Sequence, residues 1–240
     1  MIFTGGHPFC LTSTLTSSLR SALLFTISLI IFSTTNSVLS DGRIEESNEL
    51  TNDQANALEK KLNDNNNKNK YKCFVVMRCW HPRADKVIND VKNFGPEEVI
   101  LLPLYPQFSA ATSGSSIKEW QDVCKKNDFK TKTSIICCYP TNELFIKSHE
   151  EEIIKKIKNL KNFKLIFSAH GLPEANIKKG DPYQWQVEQS VDKIVKSLNI
   201  KNLDWILSYQ SRVGPLKWIG PSTEDIIVEN SKLGKHIVLV

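Results

Sequence analysis

YKCFVVMRCWHPRADKVINDVKNFGPEEVILLPLYP, residues 71–106, is the stretch that decides the fold. Residues 73–77 are a compact apolar run, which predicts a buried strand. Ala84, Val87, Ile88, Val91 and Phe94 then recur at helical spacing. This predicts a helix over 82–94, with Pro82 suited to its first turn. Residues 99–102 form a second apolar run and a second predicted strand.

The alternation continues downstream. Helices are predicted over 115–126, 143–160, around Val187, Val191, Ile194, Val195 and Leu198, and over 223–233 with Thr223 as N-cap. Strands are predicted at 134–138, 165–169, 205–207 and 236–240. The strand runs lack strict polar alternation, as expected of strands covered on both faces. The reading is an α/β fold of Rossmann-like parallel sheets with helices on both faces. The last predicted strand, 236–240, has no helix after it to cover it, so an incomplete sheet is expected.

Upstream the pattern is weaker. Residues 63–70 (NDNNNKNK) are polar and low in complexity and predict an exposed loop. Residues 55–62 predict a short helix, and 41–50 are polar and acidic. The first forty residues hold no Asp or Glu, one Arg and 15 Ser or Thr. Their apolar run, 22–32, is short against the ~20 residues of a membrane-spanning helix. A signal-peptide core with a cleavage site near 37–40, an organellar transit segment, and sequence foreign to the fold are three readings of this stretch. All three keep residues 1–40 out of the α/β core. The chain is accordingly divided into an atypical segment, 1–48, and an α/β region, 49–240.

The chain has 240 residues, 40% hydrophobic and 24% charged, which suits one large globular domain or two small ones. The net charge of +5 includes no basic block interleaved with aromatics, so nucleic acid is not an expected partner. Cysteines stand at 10, 73, 79, 124, 137 and 138 with no C-x-x-C pair. Neither a zinc site nor a disulfide framework is expected; most of them read as reduced, buried small hydrophobes. Cys137 and Cys138, adjacent in a predicted strand, should point to opposite faces.

In open α/β sheets ligands bind beyond the carboxyl ends of the strands. Three segments rich in special residues fall there: LLPLYPQFSAATSGSS (101–116), FSAHGLP (167–173) with GDPY (180–183), and YQSRVGP (209–215) with Trp218 and GPST (220–223). A fourth, RCWHP (78–82), leaves the first strand. His170 follows a strand directly and precedes Gly171, a position suited to a base or metal ligand facing a cleft. The bland alternative is a structural histidine, and it is stronger still for His81, His149 and His236. Ser115 and Ser116, preceding a helix, could cradle an anion or simply cap it. Ser109 belongs to the same loop, and Asp181 and Tyr183 could likewise cap a helix. Arg78 and Arg212 are suited to carboxylates. Tyr105, Pro106 and Gln107 could form a rigid turn.

Taken together, in this order and spacing, these motifs resemble the signatures of the ferrochelatases, from about Glu49 to Val240. The resemblance implies two similar Rossmann-like halves with a porphyrin cleft between them. It implies insertion of ferrous iron into protoporphyrin to form haem. A related tetrapyrrole chelatase and a non-catalytic porphyrin- or metal-binding fragment are the rival expectations. It makes His170 the catalytic and metal-binding residue, and Arg78, Tyr105, Ser109, Ser115, Ser116, Tyr209 and Trp218 candidates for binding the porphyrin. Metallation must remove two pyrrole protons, and an imidazole, with an ordinary pKa of ~6.5, suits that role. Porphyrin and ferrous iron are the expected partners, with iron as substrate and no cofactor firmly implied. A cytoplasmic setting with peripheral membrane contact is expected, or an organellar or membrane-associated one if residues 1–40 are a targeting segment. The sequence departs from the family pattern at Cys79, where tyrosine is common, and at Ala110, Ala111 and Ser113, in a stretch that is usually Thr-rich. The family's N-terminal strand is not recognisable in residues 1–48, and its later acidic motif would lie beyond Val240. The chain is therefore expected to be truncated at both ends and to insert little iron alone.

Overall fold

The computed structural model describes residues 26–33, 43–64 and 69–240. It contains two parallel sheets. The first is built from β1 (Thr26–Ser33), β2 (Lys70–Met77), β3 (Glu98–Pro103) and β4 (Lys132–Ile135), in the spatial order β2-β1-β3-β4. The second is built from β5 (Phe163–His170), β6 (Trp205–Gln210) and β7 (His236–Leu239), in the order β6-β5-β7. Helices α1 (Arg43–Asp64), α2 (Ala84–Phe94), α3 (Ser115–Lys126), α4 (Glu143–Ile157), α5 (Glu174–Lys178), α6 (Tyr183–Leu198) and α7 (Thr223–Lys232) fill the connections. The α/β reading of the sequence is correct.

One expectation is overturned. Residues 1–40 were to remain outside the sheet, yet Thr26–Ser33 is an interior strand. It pairs parallel with β2 on one side and β3 on the other, so that Ile30 stands opposite both Phe74 and Leu101. The strand–helix–strand unit of residues 70–103 leaves a gap one strand wide between β2 and β3, and β1 fills it. A short apolar run has the same composition whether it is a secretory core or a strand covered on both faces. Only its pairing partners distinguish the two. The proposed cleavage site near 37–40, Cys10 and His7 lie outside the described residues.

Smaller differences also have physical reasons. The short helix expected over 55–62 runs from Arg43 to Asp64. The loop expected at 63–70 is shorter, since Asn63 closes this helix by bonding the Tyr71 backbone and Lys70 already belongs to β2. Residues 65–68 lie outside the described residues. Helix α2 starts at Ala84, after Pro82. Ser222, not Thr223, caps α7 by accepting from Asp225 N, and the Thr223 hydroxyl turns inward to Ser168 and Ser208. β4 stops at Ile135, so Cys137 and Cys138 are not in a strand. Their sulfurs lie 2.8 Å apart rather than on opposite faces. Nor are the cysteines among the described residues buried hydrophobes: Cys79 and Cys137 are exposed, and Cys73, Cys124 and Cys138 are half-buried, all five of them free.

Each sheet has its own core. In the first, Val76, Val99 and Leu101 meet Val87, Ile88 and Val91 of α2 and Trp120 of α3. In the second, Leu165 and Phe167 meet Ile146, Ile153 and Ile157 of α4 and Val187, Val191, Ile194 and Leu198 of α6. Burial of a large aliphatic side chain contributes about 1.5–3 kcal/mol, so these clusters hold the strand ends at fixed positions.

Candidate functional site at the strand ends

His170 is the last residue of β5, and its register partner is Gln210, the last residue of β6. The backbone here is pinned. The Gly171 N–H donates to the Gln210 carbonyl at 2.7 Å, and the Tyr183 hydroxyl donates to the His170 carbonyl at 3.0 Å. Burial pushes the Tyr183 phenol up to about 12, so it remains a donor at neutral pH. Gly171 has no room for a side chain, since a Cβ there would lie 2.8 Å from the Gln210 carbonyl oxygen and 3.3 Å from the Trp218 ring. Residues 172–174 run antiparallel to 217–219, with Ile219 N donating to Leu172 O and Glu174 N to Lys217 O. The segment is held firmly while the His170 side chain is left exposed.

His170 lines a cavity of about 310 Å³ together with Pro106, Gln107, His149, Tyr183 and Ser190. The loop after β3 reaches it through a set of ties to α6. Gln107 Nε2 donates to Ser190 Oγ at 2.8 Å, and Phe108 N donates to Gln186 Oε1 at 2.7 Å. Asp181 accepts from Ser109 Oγ, Ala110 N and Tyr183 N, all within 3.0 Å. The carboxylate thus fastens the loop to the first residue of α6, which has no side-chain cap at its N-cap position, Pro182.

The candidate residues divide accordingly. Of the eight, His170 lines the cavity. Tyr105 is half-buried immediately before the lining residues Pro106 and Gln107. Ser109 is buried and caps the π-helical turn Ala110–Gly114, where it accepts from Ala111 N. Ser115 donates to the Ala111 and Thr112 carbonyls. Ser116 is buried at the start of α3, with no hydrogen-bond partner for its hydroxyl among the described residues. Arg78 Nε lies 3.5 Å from Glu119 Oε2, and Arg83 pairs with the same carboxylate. Tyr209, opposite Ala169 in register, is buried in the second core, its phenol raised by burial and its hydroxyl without a hydrogen-bond partner among the described residues. Trp218 lies over Gly171 and donates from its indole nitrogen to Val213 O at 3.1 Å.

Sequence reasoning passed over His149 as a residue of a polar helix face. It lines the same cavity as His170, and its Nδ1 lies 3.1 Å from the Phe145 carbonyl, the partner expected of an Nδ1–H donor. That arrangement leaves Nε2 as its free nitrogen. A lone histidine on a helix carries no local signal of this placement. Among the described residues, no group of three or more His, Cys, Asp or Glu side chains is arranged to hold a metal ion.

Comparison with known proteins agrees with the motifs. A sequence model of the ferrochelatase family matches residues 46–240. The ferrochelatase of Pelagibacter ubique is 77% identical over 191 residues, covering 80% of this chain and 56% of that protein. That of Wolbachia sp. subsp. Drosophila simulans is 50% identical over 194 residues, covering 80% of this chain and 61% of the relative. That of Rickettsia prowazekii is 50% identical over 167 residues, covering 70% of this chain and 48% of the relative. The chain thus spans about half to three fifths of the length of these curated relatives. Matched over four fifths of its own length by a sequence 77% identical, the chain belongs to the ferrochelatase family.

Proposed function

We propose that this chain carries the histidine side of a ferrochelatase site and takes part in inserting ferrous iron into protoporphyrin to form haem. The observation that carries the reading is the placement of His170, whose exposed side chain lines a cavity while its backbone is fixed on both sides. Metallation exchanges two pyrrole N–H protons for one Fe²⁺. The imidazole accepts one of those protons or holds the approaching cation, and Tyr183 keeps the strand end from yielding. Iron is a substrate in this reading, and no resident cofactor is proposed. Tyr105, Tyr209 and Trp218 are proposed to support the porphyrin face. Arg78, Ser109, Ser115 and Ser116 shape the loop and helix behind it, a role suggested by the partners that Arg78, Ser109 and Ser115 already have.

The test is anaerobic metallation of protoporphyrin with ferrous iron, comparing the chain with His170→Ala. A general acid–base group contributes about 10²–10⁴-fold, so the small rate expected of the chain should fall to background in His170→Ala. Equal, measurable rates for the two forms overturn the role of His170. Porphyrin binding without turnover in either form favours the second reading, a binding piece without catalysis.

We further propose a cytoplasmic setting with peripheral contact at a membrane. No helix among the described residues is long and apolar enough to cross one. Val213 and Leu216, 70% and 59% exposed on the loop after β6, offer apolar side chains for surface contact. Co-sedimentation with lipid vesicles, lost in Val213→Ser/Leu216→Ser, tests this.

A further inference from the structure

Cys137 and Cys138 follow β4 on a segment that none of the proposed chemistry uses. Their sulfurs lie 2.8 Å apart, within van der Waals contact, and Cys137 is exposed to solvent. Two side chains that would diverge in a strand have been brought to one side of the chain.

The pair is wired to the cavity wall. Gln186 Nε2 donates to Cys138 Sγ at 3.5 Å, while the Oε1 of the same side chain accepts from Phe108 N at 2.7 Å. The next residue, Tyr139, donates from its N–H to Pro106 O at 2.8 Å. Ser190 Oγ donates to Pro140 O at 2.7 Å and accepts from Gln107 Nε2 at 2.8 Å. Residues 138–140 and 106–108 are therefore clamped together through Gln186 and Ser190. Pro106 and Gln107 are also residues of the cavity that His170 lines.

We propose that Cys137 and Cys138 form a vicinal dithiol–disulfide couple, a modification site that takes small-molecule disulfides as its oxidant and whose closure shifts the 106–108 loop. The Cys138 sulfur is the nucleophile. The hydrogen bond from the Cys137 thiol lowers it to about 7, with Gln186 acting in the same direction and burial against it; Cys137 is pushed upward by the same hydrogen bond. An attacking thiol is most effective when its pKa is near the ambient pH. The Cys138 thiolate attacks one sulfur of the disulfide RSSR, an S–S bond breaks, and RS⁻ leaves. Cys137 then gives up its proton and attacks Cys138 Sγ, expelling the second RS⁻. Two electrons pass from the pair to RSSR, which leaves as two thiols.

The ring so formed is strained. Adjacent Cα atoms are about 3.8 Å apart across a trans peptide, below the ~4.4–6.8 Å usual for disulfides. Strain makes the bond more reducible, so closure is favoured only in oxidising surroundings and reverses when thiols return. Once the ring closes, Cys138 loses its thiolate character as the acceptor for Gln186, and the clamp on Phe108 loosens. Ferrous iron is itself available only under reducing conditions, so on the function proposed above the couple would report on the supply of the substrate metal.

The experiment uses the 240-residue chain and oxidised glutathione, followed by alkylation of the remaining thiols and mass spectrometry of the peptide containing residues 137–138. The expected product has lost two hydrogen atoms, carries no glutathione, resists alkylation at both positions, and returns to the dithiol with dithiothreitol. Amide exchange at residues 106–108 should rise on oxidation. Cys137→Ser should stop at a glutathione adduct on Cys138, and Cys138→Ser should react far more slowly, while Cys124→Ser behaves as the parent. A stable adduct on the parent chain, unchanged alkylation, or ring closure with no change in exchange at 106–108 overturns the proposal. None of these readouts needs metallation, so the couple and the proposed activity fail independently.

Discussion

The loop after β3 and the end of β5 both carry polar side chains, and the fold uses them in opposite ways. In the first, Ser109, Ser115 and the backbone of 108–110 are engaged with Asp181, Gln186 and their own turn. In the second, the backbone of His170 and Gly171 is engaged and the imidazole is not the group that holds it. The polar groups of one loop build the wall, while the polar group of the other is kept for the cavity. A side chain held by its own loop has little freedom to serve a ligand, so polar residues at the two places carry different functional weight.

The contrast breaks most clearly at His170. His170→Ala should take the small metallation rate of the chain to background, yet change stability by no more than about 0.5 kcal/mol, since exposed substitutions away from structural contacts fall in that range. Asp181→Ala should behave in the reverse sense. It removes the acceptor of three hydrogen bonds, and bonds to a charged group are worth about 1.5–3 kcal/mol each before losses to water are counted. A net destabilisation of about 2–3 kcal/mol by urea titration is expected, with any loss of activity following from the loosened loop. If Asp181→Ala left stability unchanged and abolished activity, the division between wall and working residue would be wrong.

Much of this was legible in the sequence. Strand and helix runs of different period marked the elements from residue 70 onward, because apolar spacing reports burial directly. His170 stood out because it ends a buried run and meets a glycine and a proline. The position of β1 was not legible, since Thr26–Ser33 is identified by two neighbouring strands rather than by its own composition. Nor was the fate of Ser109 or Asp181. Whether a hydroxyl or carboxylate meets a ligand or a neighbouring backbone depends on contacts between residues about seventy positions apart.

Gly171→Ala sharpens the comparison by disturbing the support and not the imidazole. The added methyl would lie 2.8 Å from the Gln210 carbonyl oxygen, a backbone atom that cannot move without shifting β6. Overpacking of this kind costs about 1–3 kcal/mol. His170 should be displaced with it, so activity and stability should fall together. Tyr183→Phe is the milder form: it removes one hydrogen bond to the His170 carbonyl and should cost about 0.5–1.5 kcal/mol by urea titration.

The smallest effect lies at the opposite end of the second sheet and depends on pH. Asp204 precedes β6 and bonds both Lys164, at the start of β5, and Lys235, just before β7, each at 2.6 Å. One carboxylate thus ties together the entry ends of all three strands, while the site occupies their exit ends. The hydrogen bonds from Lys164 and Lys235 hold the Asp204 carboxyl below the usual carboxylate range, against some desolvation. A depressed pKa in the folded state means that the unfolded chain binds the proton more readily. The contribution is therefore present above the unfolded value, ~3.9, and is lost as pH falls through the lower folded value. Half-exposure and salt screening keep it modest. Stability of the parent chain should thus decline more steeply in this acid window than that of Asp204→Asn, and the difference should shrink in high salt. The comparison is made by urea titrations at stepped pH. Parallel acid limbs for the two proteins would mean that the three strand entries are held by their apolar cores alone.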